Sequence, residues 1–197
     1  MIVIFFVTVY ASMLKSQDTV YLKRDSVLGC IGNMLAFKGD TTIILNSDKK
    51  VIEGTLLKDT YLWTGRRLVL FKGRYPIKFN KRGDVISGYL VERTILWTGD
   101  ESRTFKHDTK VVFNDEGAVI EGVLSRDHEL DIRGKSVMFR KGEPVIFDDD
   151  GNVLKGVIDK REQLLNDKGK TKAYKSGSTL YFNKKSEVIF GEEEKDE

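Results

Sequence analysis

One cysteine, Cys30, stands in 197 residues, so no intramolecular disulfide can form and no thiolate cage can hold a metal. Two prolines, Pro76 and Pro144, leave no proline-rich linker to divide the chain. The only histidines, His107 and His128, lie 21 positions apart outside any HxH or HExxH pattern, and no metal site is expected from them. Charge of one sign is scarce too: the formal net charge of +3 is too small to point to specific nucleic-acid binding. The longest uncharged apolar run, MIVIFFVTVYA at 1–11, is too short to cross a bilayer as a helix. GxSxG, P-loop and GxGxxG patterns are missing. These absences leave no catalytic residue, metal ligand or cofactor to assign.

What remains is the composition of a folded protein, 40% hydrophobic and 32% charged, long enough for one domain or a modest array of repeats. The amino-terminal run has the length of a signal-peptide core, with Val9, Tyr10 and Ala11 where a signal peptidase cleaves, although the usual basic start is missing. Its β-branched and aromatic content also suits a first buried strand. The expected setting is extracytoplasmic, secreted or in the cell envelope, with a cytoplasmic one as the alternative.

The chain repeats itself. Gly54, Gly88, Gly122 and Gly156 recur every 34 residues, and Val51, Val85, Val119 and Val153 keep the same step. So do Leu45, Phe79, Phe113 and Phe147, the leucines from Leu28 to Leu164, and Phe37, Phe71, Phe105 and Phe139. Columns holding one register mark a repeat architecture. Val188, Gly191 and Phe182 resume the pattern after a one-residue insertion, and VTVYA at 7–11 overlays TTIIL at 41–45. About five units follow, with a partial one at each end. The chain divides into a segment at 1–19, a single repeat domain at 20–191 and an acidic tail at 192–197.

Each unit reads as about four short strands. In VVFNDEGAVIEG at 111–122, alternating apolar residues flank Asn114-Asp115-Glu116-Gly117, a type I turn closed by a glycine bulge. Lys49 and Ser186 replace the turn glycine in the first and last copies, where looser turns or turns of another type are expected. The fold class is all-β: tandem antiparallel hairpins stacked into an elongated meander or a solenoid-like array. A meander would put equivalent residues four strands apart, about 19 Å, and a solenoid about 4.8 Å. Lys38, Lys72, Lys106, Arg140 and Lys175 share one column, and their repulsion at the shorter spacing favours the meander.

The phrases FRKGEPVIFDDDGNVLKGVI at 139–158 and HDTKVVFNDEGAVIEGVL at 107–124 resemble MORN-type hairpin repeats and the related FNxxGxVxxG repeats of bacterial proteins. The resemblance covers most of residues 20–191. It implies an extended hairpin scaffold, common in envelope or secreted proteins, with no catalytic residues to transfer. The chain differs from true MORN repeats in repeat length and lacks their Tyr-x-Gly pattern, so lipid binding is not implied.

The remaining candidates are surface features. A solvated hairpin turn accounts for DDDGN at 148–152, which lacks the spacing of a calcium loop. Cys30, with apolar neighbours, reads as a buried inert thiol. The lysine column could meet an anionic or glycan polymer, or could guard a sheet edge. Trp63 and Trp97 share a column that continues as Asp131 and Leu165, which suits packing in the core or at an interface. The expected function is a non-enzymatic structural or interaction scaffold. Its partners would be other protein subunits, including further copies added head to tail, or an envelope polymer bound through the lysine column.

Overall fold

The computed structural model describes residues 17–192. The signal-like run, the overlay at 7–11 and the tail beyond Glu192 lie outside the described residues. β1 (Asp18–Leu22) comes first. β2 (Ser26–Gly29) and β3 (Met34–Phe37) form one hairpin, and β4 (Thr41–Leu45) and β5 (Val51–Thr55) the next. The alternation continues through β6 (Thr60–Trp63) with β7 (Leu68–Phe71), then β8 (Pro76–Phe79) with β9 (Val85–Tyr89). β10 (Thr94–Thr98) pairs with β11 (Glu101–Phe105), and β12 (Lys110–Phe113) with β13 (Val119–Val123). β14 (His128–Ile132) with β15 (Lys135–Phe139) and β16 (Pro144–Phe147) with β17 (Val153–Val157) follow. β18 (Glu162–Leu165) with β19 (Thr171–Tyr174) and β20 (Thr179–Phe182) with β21 (Val188–Phe190) complete the described chain.

Alternate hairpins go to different places. Eleven strands form one antiparallel sheet in the order β1-β4-β5-β8-β9-β12-β13-β16-β17-β20-β21. The other five hairpins, β2-β3, β6-β7, β10-β11, β14-β15 and β18-β19, each stand as a separate two-stranded sheet. The protein is therefore all-β, a meander crossed by a row of inserted hairpins. Because half of each unit leaves the sheet, equivalent strands such as β4 and β8 are two apart, about 10 Å at the usual spacing, rather than four. The columns of the sequence run across this sheet at that step.

The core lies between the sheet and the hairpins, and the phenylalanine and glycine columns explain how it closes. Phe37, Phe71, Phe105 and Phe139 end the second strand of each hairpin, and all four are fully buried. Each then bridges back to the sheet, Phe37 to Leu56, Phe71 to Leu90, Phe105 to Leu124 and Phe139 to Ile158. The ring lands on the sheet glycine of its own unit. A Cβ on Gly54, Gly88, Gly122 or Gly156 would lie 2.5–2.8 Å from the ring above it, inside any real carbon contact. Glycine recurs there because the ring occupies the space of a side chain. In the last unit Tyr174 takes the ring position over Gly191.

The sheet turns share one construction. The Asn114 Oδ1 accepts the backbone N–H groups of Glu116 at 3.1 Å and Ala118 at 2.9 Å. Two backbone bonds, Gly117 N–H to Asn114 O and Asn114 N–H to Ala118 O, close the same loop. Asn46, Asn80, Asp148 and Asn183 repeat the side-chain bonds in the other four turns. A register shift follows each time, as between Val112 and Phe113, which is the bulge the turn requires. Asn114→Ala strips one exposed and one part-buried turn N–H of their acceptor and should cost about 1 kcal/mol in urea unfolding, whereas Asn114→Asp should cost far less.

Lys49 and Ser186 correct the expectation of looser turns. Both residues sit at positive φ, 57° and 56°, and keep the same backbone bonds as the glycine copies. What glycine adds elsewhere is room. A Cβ on Gly83, Gly117 or Gly151 would fall on the carbonyl oxygen of Ile31, Thr64 or Thr98, at the tip of a hairpin in the other layer. Among the described residues no hairpin precedes β2, so no such tip rests on Lys49, which instead pairs with Asp18. Ser186 belongs to a turn reached by a side chain, Arg133 Nη1 holding Glu187 Oε1 at 2.8 Å.

Candidate interaction surface

The lysine column does not form a uniform stripe. Its members follow the buried phenylalanines at the crossover from hairpin to sheet, where the backbone N–H groups of Lys38, Lys72, Lys106 and Arg140 donate to Thr55, Tyr89, Val123 and Val157. Lys72 pairs with Asp108 and lies 5.1 Å from the centre of the Tyr75 ring. The hydrogen bond to Asp108 lifts the Lys72 ammonium above the usual lysine range and holds the Asp108 carboxyl below its own. Arg140 Nε donates to Asp159 at 3.2 Å and Nη2 to Ser176 at 3.2 Å. Lys38 is half-buried, and Lys106 and Lys175 are exposed.

Trp63 and Trp97 are on the surface, 47% and 44% exposed, and so are not core residues. Strand alternation puts them there: in β6 and β10 the neighbouring Leu62 and Leu96 point inward and are buried. The same alternation leaves Val27, Met34, Tyr61, Leu68 and Ile95 exposed on the first three hairpins. These five escaped notice in the sequence, though each stands one position from a column of inward-facing apolar residues and so on the opposite face of its strand. In the fourth hairpin the same columns turn polar, with Glu129 beside Asp131, and in the fifth Gln163 takes the Glu129 position. The outer face of the hairpin layer is thus apolar over half its length and polar over the rest. Where a strand edge would stand unpaired, side chains cross the gap: Arg67 Nη1 donates to Ile95 O at 2.7 Å, and Lys135 Nζ to Gln163 O at 2.9 Å.

Arg103 departs from its own column. Val69 and Val137 occupy the equivalent buried sites, yet Arg103 is only 5% exposed there. Its Nη2 holds Glu101 at 2.9 Å, and its Cζ lies 5.1 Å from the Phe147 ring centre. Its Nε has no hydrogen-bond partner among the described residues, and neither does the nearby His128 Nε2. Burial pushes the Arg103 guanidinium below its usual range. Arg103→Leu removes a desolvated charge at the loss of its bond to the exposed Glu101 and a long one, 3.4 Å, to Thr98 O, so it should raise stability by about 1 kcal/mol in urea unfolding. Burial, then the Arg126 and Arg103 charges, hold the His128 imidazole below its ordinary 6.5. The folded state therefore takes its proton less readily than the unfolded one. Stability from this group is fully present above pH 6.5 and falls as pH drops below it.

Cys30 is buried, and burial pushes its thiol up to about 11, which keeps it unreactive. Among the described residues no group of His, Cys, Asp or Glu is placed to hold a metal ion. No helix there is long and apolar enough to cross a membrane. A groove of about 620 Å³ opens between the first two sheet turns, lined by Ile31, Asn46, Asn80 and Arg82, beside Gln17 where the described chain begins. In comparison with known proteins, no family model matches the chain, and no curated protein is significantly similar to it.

Proposed function

We propose that the protein is a non-enzymatic interaction scaffold of a bacterial envelope or secreted setting, and that its work is contact through the outer face of its hairpins. One observation carries this reading: seven large apolar side chains, among them Tyr61, Trp63 and Trp97, are exposed together on the first three hairpins. With about 200 Å² for an aromatic side chain, the seven expose on the order of 600 Å², at the top of the range for patches on monomers. Aromatic residues are the side chains most enriched at contact surfaces. The resemblance to envelope hairpin repeats supports the setting.

Hydroxyl-radical footprinting tests the reading. Trp63 and Trp97 should be oxidised several-fold less in native source material than in the dilute purified chain. Equal oxidation in both would overturn it.

A further inference from the structure

We infer that the occupant of this face is the same face of a second copy, related by a two-fold axis between Trp63 and Trp97. The inference rests on the reading of the hairpin face as a contact surface and names what covers it.

The argument starts from one column. Gly29, Trp63, Trp97 and Asp131 hold equivalent positions in the first four hairpins. Gly29 has no side chain, but the Lys50 ammonium fills its place, with Nζ 3.1 Å from where a Cβ would lie. Read along the array, the column presents an ammonium, two indoles and a carboxylate. Turned end to end and laid on itself, it is self-complementary. Trp63 faces the partner's Trp97, Trp97 faces the partner's Trp63, and Lys50 at one end meets the partner's Asp131. An interface between identical copies needs this property, because residue i must accept residue j and j must accept i.

Size and composition agree. Tyr61, Leu68 and Ile95 flank the indoles and give the centre an apolar body, while the charged ends lie at the rim. The five apolar residues of the second and third hairpins expose on the order of 450 Å² at the centre. The first hairpin, with Val27 and Met34, lies over the partner's polar fourth. A standard interface buries about 800 Å² per partner. The polar rim supplies the difference. Opposite charges at the two ends also fix direction: a parallel arrangement would set Lys50 against Lys50 and Asp131 against Asp131.

Sedimentation equilibrium of the full chain, from micromolar to sub-millimolar concentration, tests the inference. Twice the 22.5 kDa chain mass is expected. Trp97→Glu, and separately Ile95→Lys, should give monomers with unchanged melting temperature. Lys50→Asp should weaken self-association about tenfold, and Lys50→Asp combined with Asp131→Lys should restore it to within about threefold of the parent. A dimer that survives Trp97→Glu or Ile95→Lys, or a double reversal no better than Lys50→Asp alone, would overturn the inference. A strict monomer whose tryptophans are nonetheless protected in source material would remove the second copy and leave the contact surface standing.

Discussion

Replacing Phe105 by Ala should lower the unfolding free energy by about 3–5 kcal/mol, followed by tryptophan fluorescence in urea. The ring is fully buried and is both the end of β11 and the link to Leu124 in the sheet. Its loss removes packing from two layers at once. The partner glycine makes the prediction specific. Gly122→Ala in the parent forces a methyl to within 2.6 Å of the Phe105 ring, an overpacking cost of about 1–3 kcal/mol. In the Phe105→Ala background the same methyl enters vacated space, and its cost should nearly vanish. A coupling of at least 1 kcal/mol between the two sites follows on order of magnitude. If Gly122→Ala cost the same in both backgrounds, the ring would not be what demands glycine.

Gly117→Ala should be more disruptive than an ordinary glycine substitution. Position 117 has φ 78°, and a methyl there would meet the Thr64 carbonyl at the tip of the β6-β7 hairpin. Gly134, with φ 77° and open space around it, is the control. Gly134→Ala carries the backbone term alone, about 1 kcal/mol, and Gly117→Ala should cost about 3 kcal/mol or more. The excess comes from lifting the tip, which also strains the Arg66 bonds to Glu116 O at 3.1 Å and Gly99 O at 2.8 Å. Amide exchange should quicken across 60–71 for Gly117→Ala and stay unchanged there for Gly134→Ala. Equal costs for the two variants would mean that the tip does not bear on the turn.

The period, the strands and the turns were legible because each rests on a local rule. Alternation marks a strand with one buried face, and an Asn-to-Gly span of four residues marks the hairpin loop. The two layers were not legible. Both hairpins of a unit carry the same alternating pattern, and nothing local says which of them joins the long sheet. A long-range clue existed in the half-repeat offset between Phe105 and Gly122, since a large ring and an empty position recurring together mark facing layers. The Lys49 turn was misread because its positive φ was credited to glycine alone. The Asn46 Oδ1 bonds to Asp48 and Lys50 hold that loop whatever residue stands at 49. Trp63 and Trp97 share a column in the sequence, but their exposure was visible only against the buried Leu62 and Leu96 beside them. Arg103 announced itself as one charged residue in the column of Val69 and Val137.

Lys49 also bears on how long such a protein can grow. Each interior turn receives the tip of an earlier hairpin and makes room by having no side chain. A unit duplicated in front of β4 would lower a new tip onto a residue with a Cβ and a long charged arm. Seating a tip there as the glycine turns do therefore calls for Lys49→Gly, and otherwise for a side-chain reach like that of Arg133 to Glu187 in the Ser186 turn. One side chain thus decides whether that turn can take a hairpin tip in the way the glycine turns do, although the hydrogen-bonding pattern of the turn is the same in both.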